Sequence, residues 1–259
     1  MYKFSFSSSS NARMIASIYT DKKNKTPTIL YLHKVDITND VHVNVPLQSL
    51  ITIKKGTFQC IPNVDIIEKI YISGPSGAGK SYWASNWIKQ AKKYIKYSEL
   101  YVFSLLDSDK VIDKLNPIRI DLDEYYIDNP LEINEIENNS IVLFDDTDMC
   151  PISIKKHINQ LRDQILEIGR HKKIRIIITS HIFTDFKATR KIMAESNAIV
   201  IYPNITSPYY LNIFLKTHGG FTLKQIEWIK TIKSRWICLY CTEPRYIIWE
   251  TGVVLNSDI

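Results

Sequence analysis

The chain has 259 residues, 45% of them hydrophobic, with 33 Lys and Arg against 27 Asp and Glu for a formal net charge of +6. That length and apolar fraction support a full core and exclude a disordered segment or a disulfide-dependent mini-protein. No apolar run approaches the roughly 18 residues that span a bilayer, and the serine-rich residues 1–11 have no signal-type apolar core. The scattered cysteines Cys60, Cys150, Cys238 and Cys241 read as reduced thiols of a cytosolic-type compartment.

Residues 1–65 show no helical period. Strand-like pieces at 12–19, 28–32, 41–45 and 50–53, punctuated by Pro27, Pro46, Gly56 and Pro62, predict a small β-rich N-terminal region. From 66 onward strands and helices alternate: strand 66–72, a helix over 82–97, strand 100–105, a short helix at 109–115 and strand 118–122. An acidic connection follows, then strand 141–144, a long helix 152–171, strand 174–179, helix 186–196 and strand 198–202. Helical segments 208–216 and 222–232 precede strand-like 236–241 and 246–249. Alternation with buried-type strands predicts an α/β fold, a doubly wound parallel sheet flanked by helices with ligands at the strand carboxyl ends. The expected division is 1–65 for the small β-rich region and 66–259 for the α/β domain with its C-terminal helical and strand extension.

Between the first strand and helix of that unit lies Gly74-Pro75-Ser76-Gly77-Ala78-Gly79-Lys80-Ser81, the full G-x-x-x-x-G-K-[ST] pattern in the strand-turn-helix context it requires. Backbone N–H groups of such a turn form a nest for phosphate oxygens, reinforced by the helix N-terminus behind it. Gly77 and Gly79 are expected because a Cβ would block the backbone's approach. Lys80 is expected to reach the β- and γ-phosphates of ATP, and the Ser81 hydroxyl to ligate Mg²⁺. A plain glycine-rich turn does not explain Lys-Ser at a helix start.

A second site element is the apolar strand Ile141-Val142-Leu143-Phe144 running into Asp145-Asp146, with Asp148 close behind. Asp145 is expected to hold Mg²⁺ and Asp146 to orient or deprotonate the attacking water, with Asp148 an alternative base. Spatial strand order then decides the class. Nucleotide and small-molecule kinases usually set the acidic strand beside the loop strand, whereas strand-inserted ATPases place a sensor strand between them. Strand 174–179, ending in Ser180-His181, is the candidate sensor.

Charge is segregated. Residues 121–148 hold ten acidic side chains and no Lys or Arg, whereas 155–191 hold ten basic ones against Asp163, Glu167 and Asp185, 10 − 3 = +7. Such a block reads either as solvated surface or as a polyanion-tracking face. Cys238 and Cys241 form C-x-x-C, but the segment reads as a strand, where residues three apart face opposite ways, so metal and redox readings lose.

Gly74 to Ser81, the strand ending in Asp145-Asp146, Gly169-Arg170-His171, Ser180-His181 and Thr189-Arg190-Lys191 occur in an order that resembles the DNA-packaging ATPases of poxviruses, giant viruses and virophages, a branch of the FtsK-HerA superfamily. The likeness covers residues 66–205 closely and the tail, through Ser234-Arg235-Trp236 and the strands after it, more loosely, and it implies the RecA-like P-loop NTPase form of the α/β fold. It implies an ATP-driven motor that threads double-stranded DNA, independent of sequence, into a preformed capsid. The motor would act as a ring homo-oligomer, a hexamer or pentamer, with a capsid protein as partner, in the host cytoplasm, viral factory or virion. Ring sharing implies an arginine donated to the neighbour's γ-phosphate: Arg170 first, then Arg162 and Arg190. Many superfamily members carry glutamate where this chain has Asp146. Lys172, Lys173 and Arg175 are the DNA-contact candidates, through phosphates alone. The competing readings are a P-loop kinase acting on a nucleotide or small molecule, and a nucleotide-gated scaffold with little turnover.

Overall fold

Two faces of one sheet bury two separate apolar sets, as strand alternation dictates. Along the loop strand Ile70 and Ile72 enter one core and Tyr71 the other; along the acidic strand Ile141 and Leu143 face the first, Val142 and Phe144 the second. The computed structural model describes residues 1–19, 26–35, 47–181 and 189–259. The strand expected at 41–45 and the start of the helix expected at 186 lie outside those residues.

The N-terminal region contributes β1 (Tyr2–Ser5), β2 (Ala12–Ile18), β3 (Thr28–Lys34) and β5 (Phe58–Cys60), which form a four-stranded antiparallel sheet in the order β1-β3-β2-β5. β4 (Leu50–Thr52) leaves that region and pairs at the far end of the main sheet, so the segment before residue 66 is woven into that sheet.

The main sheet has ten strands. Its parallel part comprises β6 (Lys69–Ser73), β7 (Leu100–Ser104), β8 (Ile118–Ile120), β9 (Ile141–Asp145), β10 (Arg175–Ser180) and β11 (Ala198–Ile201). The antiparallel extension adds β12 (Ile237–Tyr240), β13 (Tyr246–Trp249) and β14 (Gly252–Leu255). The order is β4-β14-β13-β12-β11-β6-β10-β9-β7-β8. The expected parallel sheet flanked by helices is present, and the C-terminal strands extend it antiparallel. β13 and β14 follow as hairpins, without the crossover helix a parallel strand needs.

Helix α1 (Lys80–Tyr94) buries Trp83, Ala84, Trp87, Ile88 and Ala91 against the first core and carries Lys92 and Lys93 in its last turn, where they complement the helix dipole. Helices α2 (Glu124–Asp128), α3 (Ile152–Ile168), α4 (Arg190–Glu195), α5 (Pro208–Thr217) and α6 (Leu223–Lys230) lie toward the second core. The helix expected to run to 171 ends at Ile168, and a 3₁₀ turn, Gly169–Lys172, completes the descent to β10. No described helix is long and apolar enough to cross a membrane.

Candidate active site

The carboxyl ends of three adjacent strands build the site. β10 lies between β6 and β9, so Ser180 stands level with Ser73, and Ile178 with Phe144. This is the inserted-strand order, and no kinase-type adjacency of β6 and β9 exists.

The loop from Gly74 to Ser81 leads straight into α1, whose N-cap is Gly79. Gly79 has φ +106 and Gly77 φ +76, both left-handed values that a Cβ disfavours. At Gly77 the demand is on the dihedral alone, because an added Cβ meets no atom within 4 Å. At Gly79 it would press to 3.1 Å from the guanidinium of Arg235. The turn is closed by the Ala78 N–H donating to the Pro75 carbonyl, 3.1 Å.

Lys80 is 5% exposed, and its ammonium is held by three groups. It donates to the Gly74 carbonyl at 3.0 Å, pairs with Asp146 Oδ2 at 3.3 Å, and approaches His181 Nδ1 at 3.3 Å. His181 Nε2 in turn lies 2.9 Å from the same Asp146 oxygen. Asp146 occupies a left-handed backbone position, φ 49, which Asp tolerates better than most residues and which turns its carboxylate off the strand.

Thr179 joins the two aspartates. Its hydroxyl lies 2.8 Å from Asp145 Oδ1 and 3.1 Å from Asp146 Oδ1, and it accepts from the Asp146 N–H at 2.9 Å. Asp145 is 6% exposed. Burial raises its carboxyl above the ordinary range and the Asp146 charge adds to that, against the lowering effects of the Thr179 hydrogen bond and of Lys80. A buried carboxylate so placed gains from a hard cation. Asp145 and the Ser81 hydroxyl are oxygen donors of the kind that could hold Mg²⁺, which keeps water and phosphate as its remaining ligands. Ser180 donates to Asp148, which ties Asp148 to the sensor strand. Beneath them Tyr71 contacts Ser180 and Ser73, its phenol pushed up to about 12 by burial.

The structure thus brings together Lys80, Asp145, Asp146, Ser180 and His181. It does not bring Arg170 there: that side chain is exposed in the 3₁₀ turn before β10, at the opposite, amino edge of the sheet. Arg162 is occupied with Asn159 and Asp163 along α3. The DNA-contact expectation is corrected at Arg175, which is 3% exposed at the start of β10, beside the buried Glu68. Half-buried Lys172 donates to the Ile133 and Asn134 carbonyls. Lys191 is paired with Asp163 and Glu167. Much of the basic block is therefore spent on internal contacts; Asp185 and Lys187 lie outside the described residues.

Sequence reasoning missed two residues. Thr179 had a signal, its position at the strand end just before Ser180. Arg235 stood in the tail's Ser234-Arg235-Trp236 without a role, since only the fold brings the chain preceding β12 against the loop, where its Nε donates to the Ala78 carbonyl at 3.2 Å.

No protein-family model matches the chain. Among curated proteins it is 35% identical over 205 residues to protein V3 of Sputnik virophage, described as uncharacterized, covering 78% of this chain and 82% of that protein. Among solved structures it is similar to the cytoplasmic domain of the type VII secretion ATPase EccC of Thermomonospora curvata, with TM-score 0.51 and 11% identity over 77% of this chain and 28% of that one. A similarity also exists to the genome packaging NTPase B204 of Sulfolobus turreted icosahedral virus 2, with TM-score 0.48 and 14% identity over 73% and 96% of the two chains.

Proposed function

The chain belongs to one family with protein V3 of Sputnik virophage, and from that premise we propose that it is an ATP-hydrolysing motor that moves double-stranded viral DNA into a preformed capsid. The observation that carries the reading is the insertion of β10 between the loop strand and the acidic strand, which delivers Thr179, Ser180 and His181 to the side of the site where Asp145 and Asp146 stand. A γ-phosphate there would meet Lys80, and water would be oriented by Asp146 with Thr179 and His181 fixing that carboxylate. Mg²⁺, held by Ser81 and Asp145, would supply charge neutralisation on the phosphates. A kinase reading gains nothing from this strand order.

In this reading the subunits form a hexameric or pentameric ring in the host cytoplasm or viral factory, with a capsid protein as docking partner. An arginine at the amino edge, such as Arg170, would serve a neighbour rather than its own subunit. With Arg175 and Lys172 engaged internally, DNA phosphates would be met by exposed cations such as Lys173 and by Lys89, Lys92 and Lys93, which share one exposed face of α1.

Hydrolysis measured with and without duplex DNA tests the proposal. DNA should stimulate it, and Lys80→Ala or Asp145→Ala should lower it by roughly 10²-fold or more while the fold survives. Sedimentation should show a ring that assembles with concentration. Absence of both DNA stimulation and assembly would remove the motor reading.

A further inference from the structure

Two clefts beside the phosphate loop take no part in the chemistry above, and the strand order fixes which end of a nucleotide they would meet. Asp145, Asp146, Thr179 and His181 all come from β9 and β10 and the turns at their ends, on one side of β6. A nucleotide with its γ-phosphate on that side and its middle phosphate over the loop must send its nucleoside to the other, where β11 and β12 lie. There a cleft of 470 Å³ is lined by Ala78, Asn204, Ser234, Arg235 and Glu250. A second, of 260 Å³, is lined by Tyr82, Asn86, Trp236 and the same Arg235 and Glu250. Together they fall within the roughly 300–1,000 Å³ of small-molecule sites.

Arg235 and Glu250 line both clefts, and both are held in place. The Arg235 Nε donates to the Ala78 carbonyl, and its guanidinium lies close over Gly79. Glu250 Oε2 accepts from the Arg235 backbone N–H at 2.7 Å and from the Ser234 hydroxyl at 3.1 Å. Among the described residues its Oε1 has no hydrogen-bond partner. Asn204 donates to the Ser234 carbonyl at 2.9 Å, fixing the loop after β11 to the same support. Trp83 of α1 packs edge-on against Trp236 at 6.1 Å, and Tyr82 stands 59% exposed at the rim.

We infer that Arg235, Glu250 and Tyr82 clamp the nucleoside half of the bound nucleotide. The proposal rests on the P-loop reading and adds a ribonucleoside subsite supplied by the antiparallel C-terminal extension. The guanidinium meets the base face by a cation–π contact, Glu250 Oε1 accepts from ribose hydroxyls, and the Tyr82 ring covers the base from the α1 side.

Calorimetric titration of Mg-ATP and Mg-tripolyphosphate into the full chain separates the two layers of the reading. Arg235→Ala should weaken ATP about tenfold and leave tripolyphosphate unchanged. Tyr82→Ala, at an exposed side chain that the fold does not need, should follow the same pattern more weakly. Equal losses for both ligands in Arg235→Ala would mean that the guanidinium only braces the loop, which overturns the clamp; no loss for either overturns it too. Lys80→Ala is the separate control. It should weaken both ligands together, and if it weakens neither, the P-loop reading itself falls and the clamp with it.

Discussion

At the carboxyl edge of β6, β10 and β9, the polar side chains Lys80, Asp146, Thr179 and His181 bond to one another, and Asp146 and His181 keep about a third of their side-chain surface in solvent. At the amino edge of the same strands, Glu68 and Arg175 are 0% and 3% exposed and serve only the interior. Glu68 Oε2 accepts from the Asn63 N–H at 2.9 Å, while Glu68 Oε1 and Arg175 Nε are buried without a hydrogen bond among the described residues. Polar groups at the first edge can exchange partners with a ligand. Those at the second edge can only be satisfied or destabilising, so their titration acts on folding rather than on turnover.

The contrast breaks most visibly at Arg175. Replacing it with Ala removes the stronger-acting of the two positive charges, Arg175 and Arg13, that act on buried Glu68, together with a buried side chain, and should cost about 3–5 kcal/mol in denaturant unfolding, with hydrolysis per folded molecule unchanged. A large loss of turnover at full stability would place Arg175 in the chemistry instead. Glu68 provides the next test. Burial pushes its carboxyl from 4.5 up to about 7, against the Asn63 hydrogen bond and the Arg175 charge. The unfolded chain therefore loses this proton first, and stability should fall by about 3 kcal/mol as pH rises through that window. In Glu68→Gln, thermal unfolding between pH 5 and pH 8 should lose most of that slope. The smallest of these effects belongs to the open edge. Thr179→Val removes the hydrogen bond that opposes the burial-raised carboxyl of Asp145, so the acidic limb of the pH–rate profile should move to still higher pH, with turnover down roughly tenfold. A Tm near that of the parent chain would keep this effect distinct from the other two.

The loop and its strand-helix frame were legible in sequence because their chemistry is local: Gly77 and Gly79 hold backbone dihedrals, and Lys80 and Ser81 open a helix. The elements around them followed from apolar periodicity with shifts of a few residues. What could not be read was lateral order. Nothing local in 174–179 says that it pairs with both 69–73 and 141–145, and without that pairing the strand-end position of Thr179 does not say which carboxylates it meets. Arg175 misled for the same reason, since a basic residue in a basic run reads as surface until a buried Glu68 is found beside it. The short α2 and β14 escaped because four or five residues carry too little periodicity, and the antiparallel end of the sheet, with β4 at its tip, went unforeseen along with them.

The Lys80–Asp146 contact bears on how tightly such a site can hold its ligand. The ammonium already has an anionic partner at 3.3 Å, so a phosphate reaching it displaces a carboxylate rather than capturing a bare cation. The transaction is anion exchange: much of the attraction for phosphate is spent on parting Lys80 from Asp146, and that cost is returned when the phosphate leaves. The displaced carboxylate keeps His181 and Thr179 as neighbours and becomes free to face water. Loading would arm the base and unloading would quench it, which suits a machine that must bind, cut and let go many times over.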